Sequence, residues 1–255
     1  LHSILVKKKN MLFVSLLFLG PILLFRFDAT VTLLILLACN AFVKEKYEIS
    51  GVWLGLATGM KVFPVIFLPY MVMVLVRQKK LEKLLRLLVY FGEALLLPVA
   101  LFMLLGGSLG QIGESLAFHG QKLISIESVP GSMITGWSLL VRGWPPSMIP
   151  GNGIWAVEGP AEFFNRFWML PIGWLYYTVW RTKSLSVKFD WRVPVNLVLI
   201  FLVFSKNLNP QYVWWYMALL PMIEADRVVW ALTLGVALLN QLVYPVFYTT
   251  LIDNF

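Results

Sequence analysis

The chain has a single cysteine, Cys39, two histidines and little charge: Asp, Glu, Lys and Arg make up 13% of its 255 residues. One thiol inside an apolar run closes no disulfide framework and completes no cysteine-based metal site. So few charges cannot clothe a soluble domain of this size. Walker-type phosphate loops, HExxH, GxSxG and EF-hand spacings are all missing, which argues against cytoplasmic nucleotide chemistry and resident metal. No low-complexity linker divides the chain, so residues 1–255 are read as one domain. Leu1 to Asn10 lacks the apolar stretch of a signal peptide, and the opening on Leu1 rather than methionine leads the reading to expect an upstream portion.

Hydrophobic residues, by contrast, reach 59%, aromatics 15%, and the mean hydropathy is +0.78. That composition predicts an all-α, polytopic transmembrane bundle. The net charge of +8 does not point to nucleic acid, because the basic residues fall in short clusters between apolar runs. Those runs lie at about 11–25, 29–43, 51–76, 84–105, 162–180, 193–205, 211–223 and 228–250, several of them shorter than the ~20 residues of a full span.

The run 51–76 has basic clusters at both ends, Lys44 and Lys46 before it and Arg77, Lys79, Lys80, Lys83 and Arg86 after it. One straight span cannot hold both ends in the cytoplasm. Two short helices can, 51–60 rising and 64–76 returning, broken at Lys61-Val62-Phe63-Pro64 where proline stops a helix. With that break the spans alternate, placing 15 of the 21 Lys and Arg residues in the cytoplasm and six, namely Arg26, Lys61, Lys122, Arg142, Arg166 and Lys206, on the other side. The connection 106–161 then lies outside the cytoplasm, with a short half-helix expected at 132–141.

Within it, HGQKLISIES sets His119, Lys122, Glu127 and Ser128 in what reads as a loop between apolar segments. His119 suits proton transfer or phosphate donation, Lys122 a counter-charge, and Glu127 orientation of either or acceptance of a sugar hydroxyl. Lys61 and Lys206 end rising segments on the same side, in KVFP and KNLNP. Charge at membrane depth is costly and faces a cavity or partner, so two such lysines suit a phosphate, unless each snorkels to the interface. Arg26 and Asp28, in RFD, either pair with each other or meet substrate. Glu93 lies within an apolar run with no evident partner and is left unassigned. The tryptophans and tyrosines, among them Trp137, Trp144, Trp155, Trp168, Trp214, Trp215 and Tyr216, read as interfacial belts more than as sugar platforms.

RFDATVTLLILL, GLATGMKVFPVIFLPY, FHGQKLISIESVPGS and FSKNLNPQYVWWYMALLP, in that order, resemble the GT-C glycosyltransferases that use polyprenyl-phosphate sugars, in particular the bacterial and archaeal alpha-mannosyltransferase branch. The resemblance implies a GT-C bundle with several short or broken helices. It also implies transfer of a sugar, with mannose the family's suggestion, to a lipid, glycan or protein acceptor on the extracytoplasmic face of a prokaryotic membrane, without a cofactor. By motif position it assigns Lys61, His119, Lys122, Glu127, Lys206 and Gln211 to donor or acceptor binding. The general base is expected in a loop upstream of Leu1, with Asp28 as a substitute, and the chain as it stands is then expected to be inactive. Lys122 stands where the branch often has arginine, which keeps the charge but not the bidentate fork. Two other classes compete: a lipid-linked-sugar flippase or transporter, favoured by broken helices, and a structural membrane subunit that binds no donor lipid.

Overall fold

The structure is a computed structural model that describes residues 27–151, 154–159, 163, 167, 169–182 and 187–242. Ten α-helices among them carry the architecture: α1 (Asp28–Val43), α2 (Tyr47–Met60), α3 (Leu68–Arg77), α4 (Leu81–Leu104), α5 (Leu109–Gln121), α6 (Val129–Arg142), α7 (Met169–Arg181), α8 (Arg192–Phe204), α9 (Val213–Leu219) and α10 (Arg227–Gln241). The predicted apolar run at 11–25 lies outside the described residues. The fold is mostly helical, with one small antiparallel sheet the sequence reading did not anticipate. In it β3 (Ile154–Val157) pairs with both β1 (Ile124–Ser125) and β2 (Met148–Gly151).

The break near Pro64 is present. Lys61 is extended at φ −157°, ψ 126°, and Pro64 opens a 3-10 turn, Phe63–Phe67, where its missing N–H costs no hydrogen bond. The chain then returns: Ser50 near the start of α2 reaches Met71 of α3, and Tyr47 reaches Lys80 beyond it. A continuous helix would have carried Met71 far from Ser50.

Two tight turns gather the basic residues at one end. After α1, Lys46 N donates to Ala41 O and Glu45 N to Phe42 O; after α3, Lys80 N donates to Leu75 O and Lys79 N to Val76 O. These are the paired bonds of a Schellman stop, whose αL residue is usually glycine. Here Glu45 and Lys79 take it, each at φ 57°. Lys80 pairs with Glu45 at 3.0 Å, and Arg86 with Glu48 at 2.8 Å and Glu82 at 2.5 Å. Trp180 and Asp190 tie in to α3, where Arg77 donates to Trp180 O (2.6 Å) and Asp190 N to the Tyr70 hydroxyl (2.6 Å).

The sequence reading passed over a second device. Gly51, Gly55 and Gly59 form a four-residue repeat on α2, and α4 runs parallel against it. A Cβ at Gly51 would stand 2.5 Å from Leu87 O, at Gly55 2.4 Å from Phe91 O, and at Gly59 2.7 Å from Pro98 Cγ. Small residues spaced by four let two backbones approach, the usual way helices pack where lipid supplies no hydrophobic drive. Ser50 donates to Ala38 O at 2.9 Å, joining α1 to the same packet. α4, 24 residues long, is the one described helix both long and apolar enough to cross a membrane, while α1, α8 and α10 are apolar but shorter. At ~1.5 Å per residue α4 covers ~36 Å and α2 ~21 Å, and with Gly59 against Pro98 α2 ends ~9 Å short of the α4 terminus. The end opposite the basic cluster is therefore stepped.

Candidate functional site

Helix geometry brings Asp28, which opens α1, beside Lys61, which follows α2. Lys61 Nζ lies 2.6 Å from Asp28 Oδ1, and the Trp215 indole N–H donates to the same oxygen at 3.0 Å. Asp28 is 2% exposed. Arg26, weighed from the sequence as a partner of Asp28, lies outside the described residues. An acceptor hydroxyl approaching Asp28 Oδ1 would have to displace two donors, so the geometry suits a counter-charge better than a base.

Around the ammonium stand the rings of Tyr212 and Trp215, their centroids 4.2 and 4.6 Å from Lys61 Nζ. Trp215 is itself stacked between Phe63 at 4.2 Å and Tyr212 at 4.3 Å. Lys61 does not simply snorkel: a carboxylate and two aromatic faces hold it, an arrangement that stabilises a partly desolvated cation. Trp214 and Trp215 are core residues, 5% and 1% exposed, which corrects their assignment to an interfacial belt. Their neighbours Ala29, Leu36, Phe63 and Phe201 explain why. Trp137 and Trp144 are exposed, whereas the Trp155 side chain and Trp168 lie outside the described residues.

The second centre is built on the KNLNP segment after α8. Lys206, 6% exposed, donates to Gly120 O at 2.9 Å and to Lys122 O, while Ser125 N donates back to Lys206 O at 2.9 Å. This reciprocal clamp fastens the HGQKLIS stretch to the end of α8. That stretch is less of a loop than its polarity suggested. The His119 backbone is in the last turn of α5, which starts with a Ser108–Gln111 capping box, and Ile124–Ser125 form β1. The His119 side chain is not among those described.

Lys122 caps the end of α5, half-buried, with its ammonium 5.1 Å from the Phe118 ring centroid. Burial holds its pKa below the usual 10.5; burial first, and then the Lys122 charge, do the same for Lys206. The Lys122 charge acting on Lys206 is a repulsion that an anion would relieve. Glu127 accepts from the Ser125 hydroxyl at 2.6 Å and so braces the turn. Ser128 caps α6, accepting from Gly131 N at 3.0 Å and donating to Ser125 O at 2.7 Å. A Cβ on Gly131 would sit 2.1 Å from Ser125 O, so only glycine lets α6 start there. The helix anticipated at 132–141 is α6, longer at both ends.

Gln211 is 5% exposed, and its amide makes no hydrogen bond among the described residues. Nearby in sequence, Asn207 Oδ1 is buried without a partner. A buried amide oxygen left open, as at Asn207, is expensive unless a polar ligand completes it. Gln211 was anticipated. Asn207, Tyr212 and Trp215 were not, although NLNPQYVWW carries them, because a tryptophan near an interface and a tryptophan bonded to a buried carboxylate leave the same trace in sequence.

The 205–215 segment thus joins the two centres, with Lys206 at one side and Tyr212 and Trp215 at the other. The structure brings Lys122, Glu127 and Lys206 into one cluster and Asp28 and Lys61 into the adjoining one, with Gln211 between them along the chain. Among the described residues no group of three or more His, Cys, Asp or Glu is arranged to hold a metal ion. No protein-family model, curated protein or solved structure matches this chain.

Proposed function

We propose that this chain is a multi-pass membrane protein of the extracytoplasmic glycosyl-transfer type. In this reading it moves a sugar, mannose by the resemblance, from a polyprenyl-phosphate donor to a lipid, glycan or protein acceptor in a prokaryotic cell membrane. The observation that carries the reading is the separation of charge along the bundle. Lys44, Lys46, Arg77, Lys79, Lys80, Lys83 and Arg86 lie at one end, while Lys61, Lys122 and Lys206 lie at the other among buried amides and aromatic rings. An end that faces anionic headgroups and cytoplasm needs no buried lysines; an end that holds a lipid phosphate does.

The chemistry follows from where charge develops. An acceptor hydroxyl attacks the anomeric carbon, the bond to the phosphate oxygen breaks, the hydroxyl proton passes to the departing phosphate, and polyprenyl phosphate leaves with inversion at the sugar. Lys122 and Lys206 offset the charge that builds on that oxygen, already partly stripped of water and hence effective. Lys61, held by Asp28, adds a third positive charge deeper in the bundle. Gln211 and Asn207 offer an amide and a carbonyl to hydroxyl groups. His119 stands one residue before Gly120, whose carbonyl Lys206 holds, and so belongs to the same turn.

The test is transfer from a radiolabelled polyprenyl-phosphate sugar by full-length protein in proteoliposomes. Lys122→Ala should lower the rate by about 10²-fold with little change in folding, and Lys122→Arg should recover much of it. Normal transfer by the combined Lys122→Ala, Lys206→Ala and His119→Ala variant sinks the proposal. Movement of intact lipid-linked sugar between leaflets, with no glycosidic bond cleaved, would replace it by the flippase reading.

A further inference from the structure

Glu93 lies twelve residues after the first residue of α4 and eleven before its last. At ~1.5 Å per residue that puts it ~16–18 Å from either end of the helix. The hydrocarbon half-thickness of a bilayer is ~15 Å, and a glutamate side chain built of ~1.5 Å bonds extends only ~4 Å. Glu93 cannot reach an interface by snorkelling. It is exposed, and among the described residues it has no hydrogen bond or ion pair. α2 covers the opposite side of α4 through Gly51 and Gly55, and on the open side Leu96 and Leu97 are exposed with it. Gly92, adjacent, has no atom within 4 Å of where a Cβ would stand, so the backbone there is bare.

A carboxylate on a lipid-facing surface at mid-depth is costly, and such groups pair with something. We infer that the Gly92–Glu93 face of α4 docks a transmembrane helix of another polypeptide that presents a cationic or amide side chain at mid-membrane. Gly92 admits close backbone approach, and Glu93 supplies the acceptor. A second copy of this chain is a poor occupant, because a two-fold α4–α4 contact brings carboxylate against carboxylate. The inference rests on the membrane-crossing part of the reading above and not on glycosyl transfer.

The test uses the full chain in nanodiscs and synthetic poly-leucine transmembrane peptides with Lys, Asn or Leu at their centre, association being read by energy transfer. The Lys-centred peptide should bind about tenfold more tightly than the all-Leu peptide. Glu93→Leu should erase that difference, while Glu93→Gln should keep affinity for the Asn-centred peptide. Equal binding of the three peptides by the wild type, a preference that survives Glu93→Leu, or self-association through α4 overturns the inference. A spin label at Leu96→Cys, in a Cys39→Ser background, separates the two failures. A label in lipid with no peptide discrimination sinks this inference alone, and a label in water sinks the membrane-crossing reading together with it.

Discussion

Lys61 Nζ and Asp28 Oδ1 are 2.6 Å apart across 33 residues of sequence, yet only the lysine reaches solvent, its side chain 21% exposed against 2% for the aspartate. The pair is therefore asymmetric. Lys61→Met leaves a buried carboxylate with, among the described residues, the Trp215 N–H alone, at a cost toward ~3–5 kcal/mol, reduced because the lysine is partly solvated. Asp28→Asn keeps an acceptor for Trp215 and lets Lys61 lean on water and two aromatic rings, costing ~1–2 kcal/mol. Thermal unfolding in detergent should show Lys61→Met as the more damaging substitution; the reverse order would mean that the aspartate is not held by this lysine.

Two glycines on facing helices should respond in opposite directions. Gly55→Ala places a methyl group 2.4 Å from Phe91 O and 2.8 Å from Ala94 Cβ, so α2 and α4 must part, at ~1–3 kcal/mol or more. Gly92→Ala meets nothing within 4 Å and gains helix propensity, up to ~1 kcal/mol. The same thermal assay compares them, and similar losses for both would show that α2 and α4 do not pack backbone to backbone at Gly55.

The turns at the basic end store strain. Lys79 holds φ 57° with a side chain attached, where glycine would sit without penalty. Lys79→Gly should stabilise the chain by ~1 kcal/mol, since the entropy cost of glycine offsets only part of the relief. Glu45→Gly should gain less, because it also removes the partner of Lys80, an exposed pair of small value. A drop in melting temperature for Lys79→Gly would show that its side chain makes a contribution larger than the backbone penalty.

The parts of this fold visible in the sequence are those set by local chemistry. Pro64 after Lys61 announces the broken helix, and the basic clusters announce the turns that sit together. Ser128 and Pro130 announce α6. The parts that were hidden depend on partners far away in sequence. Nothing local to Asp28 points to Lys61, 33 residues on, and nothing in YVWWY separates a buried tryptophan from a surface one. The Gly51-Gly55-Gly59 spacing was legible and was passed over as part of an apolar run. β1 could not be foreseen, because a two-residue strand exists only by virtue of its pairing with Val157 and Ala156.

Lys206 and Lys122 give the site a dependence on pH whose direction can be fixed. Both folded-state pKa values lie below 10.5, Lys122's through burial and Lys206's through burial and the Lys122 charge. Below those lowered values both groups are charged in the folded chain. Between them and 10.5 the unfolded chain binds more protons than the folded one, so folding stability rises with pH across that window. Anion binding must do the opposite, since each lost proton removes an attraction. Polyprenyl phosphate binding should therefore weaken at a pH below 10.5 while the melting temperature climbs. Lys122→Gln should shift the remaining binding transition upward by freeing Lys206 from its like-charged neighbour. A fluorescent polyprenyl-phosphate titration run beside thermal unfolding reads both quantities from one sample. Parallel loss of binding and stability would mean that alkaline pH unfolds the clamp and that the two lysines do not hold the anion.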